Sequence, residues 1–104
     1  MKLRIVLITG FMAFLGHYAQ AQCAAYGYFT QSAASAVFYD SSYSVNGHEA
    51  YWSFGDSTSG SYGTQVSHTY TANGTYSACL FIYDTIANCN DTTCYTVTIT
   101  SVNN

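Results

Sequence analysis

The stretch YWSFGDSTSGSYGTQVSHTYTANGTYSACLFIYD, from Tyr51 to Asp84, decides the fold class. The apolar residues at every second position from Tyr76 to Ile82 share one face of an extended chain, and no run keeps a helical period. Segments rich in glycine, serine and threonine separate the apolar runs, as turns separate strands. The pattern predicts strands over residues 48–54, 65–70 and 75–83, with an irregular hairpin over residues 55–63.

The flanking sequence continues this pattern in both directions. Residues 26–30 and 35–39 read as two earlier strands, residues 40–47 as a polar loop, and residues 92–100 as the second strand of the last hairpin. About seven short strands at this spacing are typical of an immunoglobulin-like sandwich, with Trp52 at the centre of its core. The sequence therefore predicts an all-β fold, a two-sheet antiparallel β-sandwich.

The first 21 residues have the features of a secretory signal peptide. Lys2 and Arg4 precede a short apolar run, and Ala19-Gln20-Ala21 supplies the small residues of a cleavage site. We therefore expect cleavage near Ala21, a single mature domain over residues 22–104, and a secreted or cell-surface location. A lipid anchor on Cys23 is the alternative, although the residues before this cysteine do not fit that signal.

The charge distribution argues against several classes of partner. Lys2 and Arg4 are the only lysine and arginine of the sequence, and residues 22–104 contain five acidic residues. Such a chain cannot neutralise phosphates, which argues against nucleic acid, and anionic membranes are unfavourable for the same reason. The abundance of aromatic residues, eleven tyrosines among them, argues against disorder.

Four cysteines, Cys23, Cys79, Cys89 and Cys94, lie beyond the expected cleavage site. An even number in a short exported chain indicates disulfides, and the spacing contains no CxxC pair of a zinc site, so we expect no metal. Three pairings are possible. Strand parity places Cys79 and Cys94 on the same outer face of the last hairpin. This favours Cys79–Cys94 and leaves Cys23–Cys89 to tie the N-terminal strand to the hairpin loop.

Three short motifs stand in order within the opening stretch. Trp52-Ser53-Phe54-Gly55-Asp56 is followed by His68-Thr69-Tyr70 and then by Gly74-Thr75-Tyr76. In this order and spacing the chain resembles the PKD (polycystic kidney disease) domain over about residues 24–100. Its cysteine-rich last hairpin resembles the secreted Bacteroidetes versions of that domain. The resemblance gives structural roles to Trp52, Phe54, Gly55, Asp56, His68, Tyr70, Gly74 and Tyr76.

Two positions in these motifs carry specific expectations. Tyr76 follows a turn at the start of a long strand, where a tyrosine corner would bond its hydroxyl to upstream backbone. Ser57 stands where the family usually has a glycine, so we expect a different backbone conformation at this turn.

The resemblance implies an extracellular binding module or spacer, not an enzyme, and no cofactor. The family pattern contains no catalytic residue. The sequence contains neither a nucleophile elbow nor an obvious pair of carboxylates across a cleft. Asp56 reads as a turn cap, because no acid cluster accompanies it to bind calcium. We therefore expect contacts with an extracellular protein or polysaccharide.

The candidate binding patch consists of Tyr51, Phe81 and Tyr83. By strand parity these side chains point away from the core on neighbouring strands, where exposed aromatic residues can stack on sugars or anchor a protein. The alternative is that they pack on the 55–63 hairpin and shield the Cys79–Cys94 bridge. The chain would then be a structural spacer or, because its edge strands lack lysine, a surface subunit capable of self-association.

Overall fold

The computed structural model describes residues 22–102 and contains nine β-strands in that range. They are β1 (Cys23–Ala24), β2 (Gly27–Ser32), β3 (Ser35–Asp40), β4 (Tyr43–Ser44), β5 (Glu49–Ser53), β6 (Ser61–Tyr62), β7 (Gln65–Thr69), β8 (Gly74–Asp84) and β9 (Cys89–Ile99). No helix in this part of the chain has the length and hydropathy that a membrane crossing requires.

Two sheets and one short ladder make up the fold. The first sheet has the strand order β2-β3-β7, the second has the order β6-β5-β8-β9, and β1 pairs with β4. The longest antiparallel ladder joins β8 to β9, from Gly74 opposite Ile99 to Asp84 opposite Cys89. The predicted all-β, immunoglobulin-like sandwich of two antiparallel sheets is confirmed.

The hydrophobic core lies between the two sheets. Residues at alternate positions of β3, β5 and β8 are buried, because successive side chains of a strand point to opposite faces. Trp52 of β5 is fully buried, and its ring centroid lies 5.1 Å from that of Phe38 in β3. The contact joins one sheet to the other, and burial of rings this large dominates the hydrophobic stabilisation.

Two parts of the chain differ from the strand prediction. β4 lies in the segment predicted as a polar loop, where Tyr43 pairs with Ala24. The last hairpin is longer than predicted, because β9 begins at Cys89, so Cys89 lies in a strand and not in the hairpin loop. The sequence did not predict this extension because Asn90 and Asp91 are polar and show no apolar alternation. They belong to the strand through main-chain pairing with β8.

Both disulfides have the pairing that strand parity favoured. Cys79 lies directly opposite Cys94 in the β8–β9 ladder, with the two Cα atoms 4.0 Å apart. Cys23 is bonded to Cys89, with a Cα–Cα distance of 6.1 Å and a sequence separation of 66. The first bridge staples one hairpin, whereas the second attaches the two-residue strand β1 to β9.

The turn between β8 and β9 is organised by the buried carboxylate of Asp84. Its Oδ1 accepts the N–H groups of Ile86 and Ala87 at 3.1 and 3.0 Å, and its Oδ2 accepts the N–H of Asn46 at 3.1 Å. The bond from Ala87 is the main reason that the pKa of Asp84 is lowered, and burial opposes this shift. Main-chain donors thus hold a buried negative charge in a domain that has no lysine or arginine.

We expect the protein to lose stability in acid. The folded-state pKa values of Asp40, Asp56 and Asp84 are all lowered. Their contribution to stability is therefore complete above the unfolded pKa of about 3.9 and is lost as the pH falls through the folded values. The urea midpoint, followed by tryptophan fluorescence, should be level between about pH 7 and about pH 5 and should fall below about pH 4. An Asp84→Asn variant should decline less steeply, and a wild-type midpoint that stays level to about pH 2 would contradict the prediction.

Candidate binding site

The motif residues around His68 form one cluster between β5 and β7. His68 Nε2 lies 2.7 Å from Asp56 Oδ2, and the imidazole stacks on Phe54 with ring centroids 4.0 Å apart. Burial raises the pKa of the Asp56 carboxyl, but hydrogen bonds from Thr58 and His68 outweigh burial and leave the pKa below its ordinary value. The cluster therefore fastens the turn after β5 to β7.

Two tyrosines extend this cluster. Tyr70 donates its hydroxyl to the carbonyl oxygen of Phe54 at 2.9 Å, and the Tyr70 and Tyr76 rings stack with centroids 4.4 Å apart. Burial, with the nearby Asp56 charge and Tyr76, raises the pKa of Tyr70 to about 12, so its hydroxyl stays a donor. Tyr76 donates to the carbonyl oxygen of Ala72 at 2.6 Å, which is the upstream bond of a tyrosine corner.

Ser57 has a backbone φ of 68°, in the left-handed region. Glycine occupies this region readily, whereas a Cβ atom there meets the following carbonyl oxygen. The replacement of the usual glycine by serine predicted a different backbone conformation at this turn. The turn instead has a conformation that suits glycine, and Ser57 carries the strain.

A Ser57→Gly variant should therefore be more stable by about 0.5–1 kcal/mol. Glycine removes the left-handed strain, and its greater freedom in the unfolded chain offsets part of that gain. Urea unfolding of the variant and the wild type measures the difference. The control is Ser61→Gly in strand β6, which should lose stability because it only adds unfolded-state entropy. Equal losses in the two variants would show that residue 57 is unstrained.

The second histidine, His48, connects three segments. Its Nδ1 lies 2.8 Å from Ser44 Oγ, and its Nε2 lies 2.6 Å from Asp40 Oδ2. Serine, histidine and aspartate are also the components of a hydrolytic triad, but there Nε2 faces the serine and Nδ1 faces the aspartate. In this molecule the two ring nitrogens have the opposite partners. Their hydrogen bonds join the end of β3 to β4 and to the segment before β5, which is a structural arrangement.

The outer face of the second sheet carries the predicted patch. Phe81 and Tyr83 in β8 are 42% and 41% exposed, and Tyr51 in β5 is half-buried. Phe81 lies opposite Tyr51 in the ladder, and their ring centroids are 6.2 Å apart. Tyr83 lies on the same face two residues along, opposite Glu49. The structure thus brings the three predicted residues together on one face.

Two residues that the sequence analysis missed complete this face. Tyr62 in β6 is 71% exposed and pairs with Tyr51, with ring centroids 4.8 Å apart. Glu49 has the same parity along β5 as Tyr51, so strand alternation could have identified it. Tyr62 gave no such signal, because it lies in the irregular segment predicted as a hairpin.

These side chains line an open groove of about 440 Å³. We call it the aromatic groove and define it by Glu49, Tyr51, Tyr62, Phe81, Tyr83, Asn90 and Thr92. Tyr51 also packs on the neighbouring hairpin, because the N–H of Gly60 donates to its hydroxyl oxygen at 3.2 Å. The alternative packing role therefore applies to Tyr51, whereas Tyr62, Phe81 and Tyr83 expose much of their ring surface.

The aromatic groove presents aromatic faces, one carboxylate and a polar margin. These groups can make contacts with a bound partner. Across residues 22–102, no three histidine, cysteine, aspartate or glutamate side chains are grouped as metal ligands. The predicted motif residues and the predicted patch are therefore separate: the motif cluster joins β5 to β7, and the patch lies on the outer face of β5, β6 and β8.

Solved structures similar to this fold include the PKD1 domains of two Vibrio proteins and a carbohydrate-binding module. The PKD1 domain of the Vibrio cholerae metalloprotease PrtV has a TM-score of 0.68 and 22% identity, covering 74% of this chain and 95% of that chain. The PKD1 domain of Vibrio anguillarum Epp has a TM-score of 0.69 and 24% identity, covering 81% of this chain and 98% of that chain. A carbohydrate-binding module structure, from work on the promiscuous specificity of such modules in the β-sandwich superfamily, has a TM-score of 0.65 and 22% identity, covering 79% of this chain and 35% of that chain.

At these identities the similarities show the fold alone. No curated protein matches the chain in sequence. The model of one family, described as the PKD domain, matches residues 25–100, a range that includes all three motifs and both sheets. PKD domains are generally non-catalytic binding or structural modules. On the strength of this match, the chain belongs to the PKD domain family.

Proposed function

We propose that this protein is a secreted, non-catalytic PKD module that contacts an extracellular protein or polysaccharide through the aromatic groove. The observation that carries the proposal is the gathering of four aromatic rings on one open face of the second sheet. Aromatic side chains supply large contact areas in both protein and sugar recognition. A contiguous exposed apolar patch on a small domain is typical of an interaction site.

The similar solved structures set the order in which ligands are tested. One of them comes from carbohydrate-binding modules, which makes polysaccharides the first class to examine. The PrtV domain comes from a metalloprotease, an enzyme that acts on proteins, so extracellular proteins form the second class to examine. The lack of lysine and arginine beyond residue 4 favours neither nucleic acid nor anionic membranes as partners.

The test is a binding panel of polysaccharides and extracellular proteins, probed with the chain produced in an oxidising compartment. A Tyr51→Ala/Phe81→Ala/Tyr83→Ala variant should bind its ligand at least about tenfold more weakly, because truncation of buried aromatic anchors removes much of an interface's energy. The matched control is Tyr26→Ala/Tyr43→Ala, which removes exposed rings outside the groove and should bind as wild type does.

Two outcomes would contradict the proposal. Equal losses in the groove variant and the control variant would place the contact elsewhere. A protein that binds no member of the panel but grows in size with concentration would be a self-associating or spacer module. In that case the edge strands of the two sheets, β2 and β7 or β6 and β9, would be the surfaces for pairing between copies.

The proposed export of the protein can be tested by determining the N-terminus of the mature chain. The signal peptide predicted over residues 1–21 lies outside the described residues. Mass spectrometry of the exported protein should give an N-terminus at Gln22, followed by one domain over residues 22–104. An N-terminal lipid on Cys23 would instead support the lipoprotein alternative.

A further inference from the structure

The rings of the aromatic groove form a corner and not a flat platform. The plane of Tyr51 is inclined by 59° to that of Tyr62 and by 44° to that of Phe81. A sugar ring stacks best on a flat aromatic face, whereas a compact cation can lie against several inclined faces at once. Cation–π attraction acts within about 6 Å of a ring centroid. The centroids here are 4.8 and 6.2 Å apart, so one cation can reach more than one ring.

Glu49 brings a negative charge to the same groove. It is exposed, lies opposite Tyr83 in the ladder, and is the only acidic residue among those that line the groove. Residues 22–104 contain no lysine or arginine. Their two histidines, His48 and His68, lie against Asp40 and Asp56. Within the described part of the chain, no basic side chain therefore balances Glu49.

From this geometry we infer that the aromatic groove binds a lysine or arginine side chain on a basic segment of an extracellular protein. The inference rests on the proposed function and narrows its ligand to one class. The ammonium or guanidinium group lies against Tyr51 and Phe81, with Glu49 as its counter-ion. The apolar stem of the side chain packs along Tyr62. Residues 22–104 contain five acidic residues and no lysine or arginine, and this net negative charge favours the approach of such a segment.

The test is an NMR titration of the full chain with a lysine–glycine repeat peptide. The same peptide acetylated on every lysine and a neutral glucan are the comparison probes. Glu49→Gln removes the charge and keeps the rings. Asp91→Asn is the matched control, because it removes one negative charge from β9, outside the aromatic groove. Asp91 accepts the N–H of Ala25 at 2.8 Å, and the amide oxygen of asparagine can still accept this bond.

We expect shifts confined to the aromatic groove, and no binding of the acetylated peptide. Glu49→Gln should raise the Kd about two- to fivefold, the range of an exposed ion pair, because the aromatic contacts are kept. Asp91→Asn should leave the Kd within about twofold of wild type.

The other results would overturn the inference in distinguishable ways. Equal weakening by Glu49→Gln and Asp91→Asn would show diffuse attraction to an acidic surface. In another outcome, a neutral glucan shifts the groove resonances, its Kd is unchanged in Glu49→Gln, and the lysine peptide causes no shift. That outcome would overturn the cationic ligand but would leave the proposed function standing. Absence of groove shifts with every probe here and in the binding panel would overturn both.

Discussion

Replacing Cys23 and Cys89 together by alanine should lower the free energy of unfolding by about 4 kcal/mol. The bridge spans 66 positions in sequence, and the unfolded-state entropy that a bridge removes grows with the logarithm of loop length. Cys79 and Cys94 are separated by only 15 positions, for which the same relation gives about 3 kcal/mol. The core of so small a domain provides marginal stability, so either loss is a large fraction of the total.

Urea unfolding of the two double variants and the wild type, followed by the fluorescence of Trp52, gives the comparison. The Cys23→Ala/Cys89→Ala variant should be the less stable of the two, and hydrogen exchange should quicken first in β1, which otherwise pairs only with the two-residue strand β4. Greater damage from the Cys79→Ala/Cys94→Ala variant would contradict the ranking. The disulfides would then stabilise the fold mainly by fixing the register of the β8–β9 hairpin, and not by reducing the entropy of the unfolded chain.

A Gly55→Ala variant should lose about 2–4 kcal/mol of stability. Gly55 has a φ of 82°, a left-handed conformation that costs alanine about 1 kcal/mol or more. An added Cβ would also overlap the main-chain nitrogen and carbonyl oxygen of Ser77 in β8. That backbone cannot easily move away, because Ser77 lies within the continuous ladder between β8 and β9.

Gly47→Ala is the matched control for this substitution. Gly47 has a φ of 85°, yet an added Cβ there would meet no atom within 4 Å. Gly47→Ala should therefore cost only the left-handed strain, about 1 kcal/mol. The difference between the two variants in urea unfolding isolates the close approach of the turn to β8. Equal losses would mean that the Ser77 backbone yields to the new side chain.

Much of the fold could be predicted because strand alternation is a local property of the sequence. Alternation identified Trp52 as the centre of the core, and the structure buries it completely. It also placed Cys79 and Cys94 on one face, which the register of β8 and β9 reproduces. The outward direction of Phe81 and Tyr83 follows from the same parity.

Other features depend on contacts that no local pattern records. β4 is two residues long and exists through its pairing with β1, which no periodicity could reveal. Tyr62 joins the aromatic groove because the irregular hairpin folds back on β5. Cys89 belongs to a strand whose first residues are polar, so its extent is set by main-chain pairing with β8. The aromatic groove was therefore predicted without Tyr62, whereas Glu49 shares the parity of Tyr51 along β5 and could have been included.

The Cys23–Cys89 bridge has a mechanical consequence. If the molecule is pulled from its two ends, tension passes from Cys23 directly through the sulfur atoms to Cys89. The chain between them, which contains the aromatic groove except for the start of β9, is shielded from the load. At about 3.4 Å per residue, the roughly 13 residues from Cys89 to residue 102 span at most about 45 Å when fully extended, against about 270 Å for residues 22–102 without the bridge. Most of the 45 Å is already present in the fold, because β9 (Cys89–Ile99) is an extended strand. A host that exposes this domain to shear would therefore find it nearly inextensible while the bridge is intact.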